Sequence, residues 1–578
     1  MKALEIQRRE VAEALVEWPA DMHPVLRRVL AGRGIRSPAE IEHRLANLAA
    51  PVHLGGIESA CELLCDAIDR QRQIVIVGDF DADGATGTAV AMRGLRMLGA
   101  GRVDFRVPNR ALHGYGLSAA LVDSMREVVP DLIVTVDNGI ASLAGVAAAR
   151  ERGIDVLVTD HHLPGAELPD ANVIVNPNLA GDCFPSKALA GVGVMFYVLI
   201  ALRAHMRKLG RFATGTSAEP DLSSLLDLVA LGTVADMVSL DQNNRILVAA
   251  GLRQIRNGHA CAGIRALLQV ADRDPATLTT AELGFVVAPR INAAGRLEDM
   301  GLGIECLTTD DDAPALELAH RLSAINAERR EIQSQMVEQA EAAVARWTGT
   351  HGEQALPCGV VLFEQEWHPG VVGLVASRLK EQLHRPVVAC APAMDGSCEI
   401  RASLRSIRGV HARDILAEID ANEPGLIQRF GGHAMAAGLT LARASLERFT
   451  SAFAQTVQRR AAPELFTPVL LSDGPLSPDE IDMELAELLR HAIPWGQGLS
   501  EPTFDNTFEL KSFTVVGGRH WRMQLIMEGS RTPLAAMYFN AGEGVSPPTR
   551  MRAAYRLDIN VWGGQRALQL IVQHLQAA

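Results

Sequence analysis

The eight cysteines of this 578-residue chain lie scattered from Cys61 to Cys398 and include no Cys-x-x-Cys pair. That spacing excludes a zinc ribbon, and a chain of this length has no need of a disulfide framework. Aromatic residues are scarce at 4%, against 48% hydrophobic residues overall, so the core must be built from Ala, Val, Leu and Ile, the filling of packed α/β layers. The longest apolar run, around Val192 to Leu202, falls short of the roughly 20 residues that span a bilayer. The first ten residues place Lys2, Glu5, Arg8, Arg9 and Glu10 where a signal peptide would carry its apolar segment, so a cytoplasmic protein is expected. Nor is there a surplus of positive charge. With a net charge of −13, no global field attracts a polyanion, and any grip on nucleic acid must come from a local basic cluster. The length gives room for roughly three or four domains.

What is present is organised around one stretch, Ile74-Val75-Ile76-Val77 followed by Gly78-Asp79-Phe80-Asp81-Ala82-Asp83-Gly84. A β-branched run without polar alternation reads as a strand buried on both faces. It ends in three alternate aspartates. Carboxylates this close repel one another and take up protons unless a cation sits among them, so a divalent metal is the expected reason for them. The same pattern opens a calcium-binding EF-hand loop, but the twelfth position, which needs a bidentate carboxylate, is Val90. A plain acidic turn is the simpler alternative unless further ligands arrive from elsewhere.

Such ligands are there. Strand-like runs at Ile74–Val77, Val103–Val107, Leu132–Val136, Val156–Thr159 and Val173–Val175 alternate with helical patterns, which predicts parallel βαβ units. The third run leads into Asp137-Asn138-Gly139 and the fourth into Asp160-His161-His162. Carboxyl ends of parallel strands share one edge of the sheet, where open α/β folds bind ligands. Three strands thus deliver Asp81 and Asp83, Asp137, and His161 to one crevice, and the mixture of oxygen and nitrogen donors suits a metal.

The remainder divides by composition. Residues 1–72 read as a helical segment, 73–313 as the catalytic domain, and 314–349 as one long connecting helix free of Pro and Gly except at its ends. A second α/β unit is expected over 350–462. It carries four arginines and no acid between Arg401 and Arg413, with Gly431, Gly432 and Gly438 nearby, which reads as a phosphate grip. After a proline-rich shift, 463–578 holds five short strand patterns with glycine turns, predicting a small OB-like barrel of the kind that holds single strands. Its aromatics Trp521, Tyr538, Phe539 and Trp562 either stack bases or form core.

The Asp160-His161-His162 triplet resembles that of the DHH phosphoesterase superfamily, and the order of motifs resembles its RecJ family of single-strand-specific 5′→3′ DNA exonucleases over almost the whole length. The carrying motifs are Gly78 to Gly84, Pro108-Asn109-Arg110 with Gly114-Tyr115-Gly116, Asp137-Asn138-Gly139, Asp160-His161-His162, Leu231-Gly232-Thr233-Val234-Ala235-Asp236, Ala288 to Leu297, the Trp367 and Gly431 segments, and Pro494-Trp495-Gly496. The resemblance implies an α/β architecture with a parallel-sheet DHH domain, a connecting helix, a DHHA1-like domain and an OB-fold. It implies two Mn²⁺ or Mg²⁺ ions held by Asp81, Asp83, Asp137, His161 and Asp227. Val77 stands where many members carry a histidine, so Asp79 is the expected substitute. His162 is expected at the scissile phosphate, with Asp160 and Asp236 orienting the ligands. Arg110, Ser403, Arg405, Arg290 and Arg296 are implied in holding a 5′ phosphate, Tyr115 in stacking on the terminal base, and Arg408, Gly431, Gly432 and His433 in contacting the strand. Implied partners are single-stranded DNA and a single-strand-binding protein, with a monomeric enzyme and no membrane. Two rival readings are a phosphodiesterase for dinucleotides or short oligonucleotides and a non-catalytic DNA-binding scaffold.

Overall fold

The computed structural model describes the chain except residues 1–3, 12–17, 110–114, 214–217, 352–355, 394–395, 397 and 543–544, and at 350, 351 and 562 the backbone alone. It separates into two compact units, one of Arg9–Asn326 with Asp473–Ala578, the other of Met1–Arg8 with Ala327–Ser472. No helix among the described residues is long and apolar enough to cross a membrane.

The chain opens on a strand, β1 (Glu5–Arg8). This corrects the expectation of a helical segment throughout residues 1–72; among its described residues the α-helices are Pro24–Ala31 and Ile57–Asp69, with short 3-10 turns between them. A stretch with one apolar residue in four carries no strand signal, and its partner is remote in sequence.

The larger unit is built on a parallel sheet of β2 (Ile74–Gly78), β3 (Val103–Arg106), β4 (Leu132–Val136), β5 (Asp155–Thr159) and β6 (Val173–Val175), in the order β3-β2-β4-β5-β6. All five residues of β2 and of β4 are buried, as their unbroken apolar runs predict. Each such Val, Leu or Ile contributes about 1.5–3 kcal/mol by leaving water. Chain order reverses between β2 and β4, one connection leading outward to β3 and the other to β5. That reversal opens a crevice beyond the carboxyl ends of these two strands. Their ends carry Asp79 to Asp83 and Asp137.

The smaller unit holds β7 (Val360–Phe363), β8 (Val387–Pro392), β9 (Glu399–Arg405), β10 (Arg429–Gly432) and β11 (Ala436–Ala442), in the order β10-β11-β9-β8-β7. Only β7 and β8 are parallel; the rest of this sheet is antiparallel. Here β1 runs parallel to β12 (Val469–Ser472), with Glu5 opposite Val469. The helix Asp312–His351 is continuous, as the absence of internal breakers predicts, and the two units divide within it, after Asn326.

The chain closes with β13 (Phe504–Val516), β14 (His520–Met527), β15 (Pro533–Tyr538), β16 (Arg550–Trp562) and β17 (Gln565–Ala577), a closed barrel in the order β13-β14-β15-β17-β16. Pairing is antiparallel except between β15 and β17, which gives the five-stranded OB arrangement. Trp521 is buried in its core and Tyr538 packs against that core, so these two are structural, while Phe539 is exposed. The side chain of Trp562 lies outside the described residues.

Candidate active site

The aspartate loop is shaped by its own carboxylates. Asp81 caps the helix Ala82–Met97, its Oδ1 accepting from the amides of Asp83 at 3.0 Å and Gly84 at 3.1 Å. Asp83, in the first turn, accepts from the amides of Gly191 at 2.6 Å and Val192 at 2.9 Å, the start of the helix Gly191–Lys208. Two helix N-termini therefore supply donors to this loop, as their unpaired amides require. From the helix Ala288–Leu297, Asn292 Oδ1 accepts from the Ala82 amide at 2.9 Å.

Asp137 sits at the end of β4 with φ of +63°, a left-handed conformation uncommon for a residue with a Cβ. Neighbours hold it there. Asn138 Nδ2 donates to the carbonyls of Val77 at 2.9 Å and Val136 at 3.0 Å, joining the ends of β2 and β4. The Tyr115 hydroxyl donates to the Asp137 carbonyl at 3.3 Å. Glycine is required opposite, because a Cβ on Gly191 would stand 2.4 Å from that of Asp137.

At the end of β5, buried Asp160 organises the histidines. Its Oδ1 accepts from the amides of His161 and His162 and lies 2.8 Å from His162 Nδ1, while Oδ2 accepts from the Ile140 amide. His161 Nε2 projects into the crevice, 3.0 Å from Asp137 Oδ1, 3.7 Å from Asp236 Oδ2 and 3.9 Å from Asp83 Oδ2. The fourth contributor is thus Asp236, at the end of the helix Leu226–Ala235. That helix can approach because a Cβ at Gly232 would lie 2.2 Å from Thr86 Oγ1 and 3.1 Å from Asp83 Oδ1.

Asp227 does not join them. Its fully buried carboxylate accepts from the amides of Cys261 and Leu228, each at 2.7 Å, so the expectation that it is a metal ligand is corrected, and Asp236 is the acid this helix presents to the cluster. The helix carries Asp227 in its first turn and Asp236 as its C-terminal cap, and only the cap reaches the crevice.

Three overlapping sets result, each with ligand atoms within 4.8 Å: Asp79, Asp81 and Asp137; Asp83, His161 and Asp236; and Asp137, His161 and His162. The first two share no residue and meet at the Asp137–His161 contact. Their charge is not balanced from within. Burial first, and then Asp81, push the Asp83 carboxyl up to about 7 against the pull of its amide donors. Burial and the neighbouring aspartates push Asp137 and Asp236 well above the usual range. Five carboxylates and an imidazole converging in a buried crevice are a donor set for hard or borderline divalent cations, which relieve this repulsion. His162 differs. Burial opposes its charge, but the hydrogen bond and charge of Asp160, with help from Asp236 and Asp79, lift it to about 9.

Of the residues implied in DNA contact, Tyr115 lies at this site, its ring edge-on to both Phe80 and His162. Arg290 and Arg296 ride on the helix that Asn292 ties to the aspartate loop. Arg110 lies outside the described residues. The others belong to the smaller unit. There Arg401, Ser403 and Arg405 share one half-buried face of β9, with Arg405 Nη1 donating to Ser403 Oγ at 2.6 Å. Across the register, small residues stand beside this face, Ala436 facing Arg405 and Gly438 facing Ser403, and the helix Val372–Leu383 approaches it at Gly373, where a Cβ would lie 2.8 Å from Arg405 Nη2. Arg408, Gly431, Gly432 and His433 are all exposed. Asn138 and Asn292 were not singled out by sequence, since an asparagine beside a strand end or within a helix carries no local signal of what it joins.

Family models match three stretches of the chain: the DHH family N-terminal domain over residues 73–233, the DHHA1 domain over 357–459 and the RecJ OB domain over 472–574. The chain is 47% identical to the single-stranded-DNA-specific exonuclease RecJ of Salmonella typhimurium, over 100% of both chains. The chain belongs to the RecJ family. The fold is also that of RecJ from Thermus thermophilus crystallised with Mn²⁺, at a TM-score of 0.79 and 30% identity, covering 100% of this chain and 79% of that one. The Mg²⁺ complex of the same protein matches at a TM-score of 0.73 and 28% identity, covering 100% and 78%.

Proposed function

We infer that this protein is a metal-dependent exonuclease that degrades single-stranded DNA from its 5′ end to 5′-mononucleotides, in DNA repair and recombination. The observation that carries the reading is the pair of ligand sets meeting at Asp137 and His161. Asp79, Asp81 and Asp137 would hold one divalent ion, Mn²⁺ or Mg²⁺, and Asp83, His161 and Asp236 the other. Two such ions supply the charge that makes a water nucleophilic near neutral pH and offsets the charge building on the scissile phosphate.

The chain's own groups do the rest. Asp160 fixes the His162 ring through Nδ1, leaving Nε2 on the side of the Tyr115 hydroxyl, 3.5 Å away. Held charged at neutral pH by that partnership, His162 donates to a phosphate oxygen and stabilises it as the bond breaks. Tyr115 and Asn138 keep the Asp137 loop in its strained conformation, so the ligands are set before substrate arrives. In the smaller unit Arg405, steadied by Ser403, receives a phosphate of the strand, while Arg408, Gly431, Gly432 and His433 track it; in the larger unit Arg290 and Arg296 are further candidates for phosphate contact. The enzyme is proposed to work as a cytoplasmic monomer alongside a single-strand-binding protein.

The test is one incubation of 5′- and 3′-labelled DNA, single-stranded and duplex, with Mn²⁺, Mg²⁺ or EDTA. Early mononucleotide release from the 5′ label of single strands, abolished by EDTA, is expected. Release from the 3′ label, or cleavage of dinucleotides alone, would overturn the reading.

A further inference from the structure

The strand β13 runs on past the barrel. Its residues Phe504–Glu509 pair with β16, and the stretch from Phe508 to Val516 pairs with β14. The last link on the β16 side is the Leu510 amide, which donates to the Thr549 carbonyl at 2.8 Å. From Ser512 to Val516, therefore, one edge of the strand is laddered to β14 and the other meets no strand among the described residues. The amides and carbonyls of that second edge are a template for another extended chain.

Edges are ordinarily blunted, and this one is blunted only at its root, by Lys511 and by the bulge between Leu510 and Ser512. The residues beyond, Ser512-Phe513-Thr514-Val515-Val516, carry neither charge nor proline. All are exposed, and Val515 keeps 52% of its surface in water. An exposed edge rich in strand formers is a liability unless something pairs with it. The register says what would. Phe513 stands opposite Met523 and Val515 opposite Trp521, both buried, so these two extend the row that faces the barrel core. On the other face, Thr514 stands opposite the exposed Arg522. Charge on this hairpin is of one sign: from Lys511 to Met527 the chain holds Lys511, Arg519 and Arg522 and no acid. None of the three forms an ion pair among the described residues. The nearest acids in sequence, Glu509 and Glu528, lie at the root, and Glu528 is 3.4 Å from Arg550.

We propose that the free edge of β13, Ser512–Val516, is a docking site for an extended segment of a partner protein, added as a further strand, in which apolar residues alternate with acidic ones. The apolar side chains lie beside Phe513 and Val515, and the acidic ones share the face of Thr514 and Arg522. The backbone ladder supplies affinity and the alternation supplies specificity. A nucleic-acid strand suits this edge less well, because a sugar-phosphate chain has no amides to continue the ladder and valine offers a base no ring to stack on.

Full-length protein in EDTA is titrated by calorimetry with four probes: a synthetic peptide of alternating valine and glutamate as long as the edge, its valine-lysine counterpart, the glutamate peptide N-methylated throughout, and oligothymidylate. Saturable binding of the glutamate peptide is expected, about tenfold or more tighter than that of the lysine peptide and lost on N-methylation. Hydrogen exchange should slow at the amides of Ser512–Val516. Val515→Glu and Arg522→Glu should each weaken the glutamate peptide by about tenfold. Both side chains are exposed, and circular dichroism checks that the variants fold. The proposal is overturned by the absence of saturable binding to the wild type, by equal affinity for the lysine or N-methylated peptide, by protection elsewhere on the chain, or by unchanged affinity in either folded variant. Loss of oligothymidylate affinity in Val515→Glu with the peptide unaffected overturns it in favour of nucleic acid.

Discussion

At the edge of the parallel sheet, carboxylates are drawn out of water and three of them are pinned. Asp81 is held by two amides, Asp83 by two more, and Asp160 by three amides and a ring nitrogen. On the antiparallel sheet, Arg401, Ser403 and Arg405 stand half-exposed over small residues, and the neighbouring Gly431, Gly432 and His433 are open to solvent. The first region stores repulsion that bound cations or protons relieve; the second stores little and offers donors to a partner that water can also serve. Chemistry is therefore built where desolvation makes each charge count, and grip where adaptability costs least.

The comparison breaks most completely at Asp137, which belongs to two of the three ligand sets. Asp137→Ala should lower single-turnover hydrolysis with Mn²⁺ by about 10³-fold or more, with circular dichroism unchanged. Substantial activity in this variant would end the two-ion reading. Next, the two acids of the helix Leu226–Ala235 should part company. Asp236→Ala should weaken Mn²⁺ binding and activity by about 100-fold, as read by calorimetry and kcat/KM. Asp227→Ala should leave Mn²⁺ affinity near wild type but cost about 1–3 kcal/mol of stability, since two buried amides lose their acceptor. The reverse pattern would return Asp227 to the metal site.

On the open sheet the effect should be smaller and substrate-dependent. Arg405→Ala should cost about 10- to 150-fold in kcat/KM on 5′-phosphorylated strands, from a charged hydrogen bond worth about 1.5–3 kcal/mol. Strands with a 5′-hydroxyl should lose much less; equal losses would mean that Arg405 holds the strand elsewhere. The smallest effect sharpens the contrast through pH. Asp83 is raised from 3.8 to about 7, and Asp137 and Asp236 are raised as well, so the folded protein binds protons that the unfolded chain has released. Their stabilisation is complete below about pH 4 and is lost as pH rises through 7. Metal-free protein should therefore lose a few degrees in Tm between pH 5 and pH 8, and saturating Mn²⁺ should flatten or reverse the slope. A metal-free Tm that rises over this range would contradict the stored repulsion.

Much of this was legible from residues alone, for a physical reason. Ile74–Gly78 and Leu132–Val136 are buried on both faces, so their unbroken apolar runs announce a parallel sheet, and the polar residues that follow must lie at its edge. The helix after them was harder to read. Asp227 and Asp236 are nine positions apart, which at about 100° per residue places them on opposite faces, so only one can meet the crevice. Which one depends on the backbone of Cys261, which the sequence does not locate. Glu5–Arg8 fails for a related reason: its strand exists only through the partner at Val469–Ser472.

That pairing also sets a clock. The smaller unit includes the residues up to Arg8 yet draws everything else from Ala327–Ser472, so its last strand pair cannot close until the ribosome has made both. At about 5–20 residues per second, the first strand waits on the order of 25–90 s for its partner. Through that interval its backbone amides and carbonyls lack their ladder partners, while the parallel sheet of the larger unit, complete by Val175, is free to assemble. The nascent chain thus acquires the strands bearing most of the proposed metal ligands long before the smaller sheet can close.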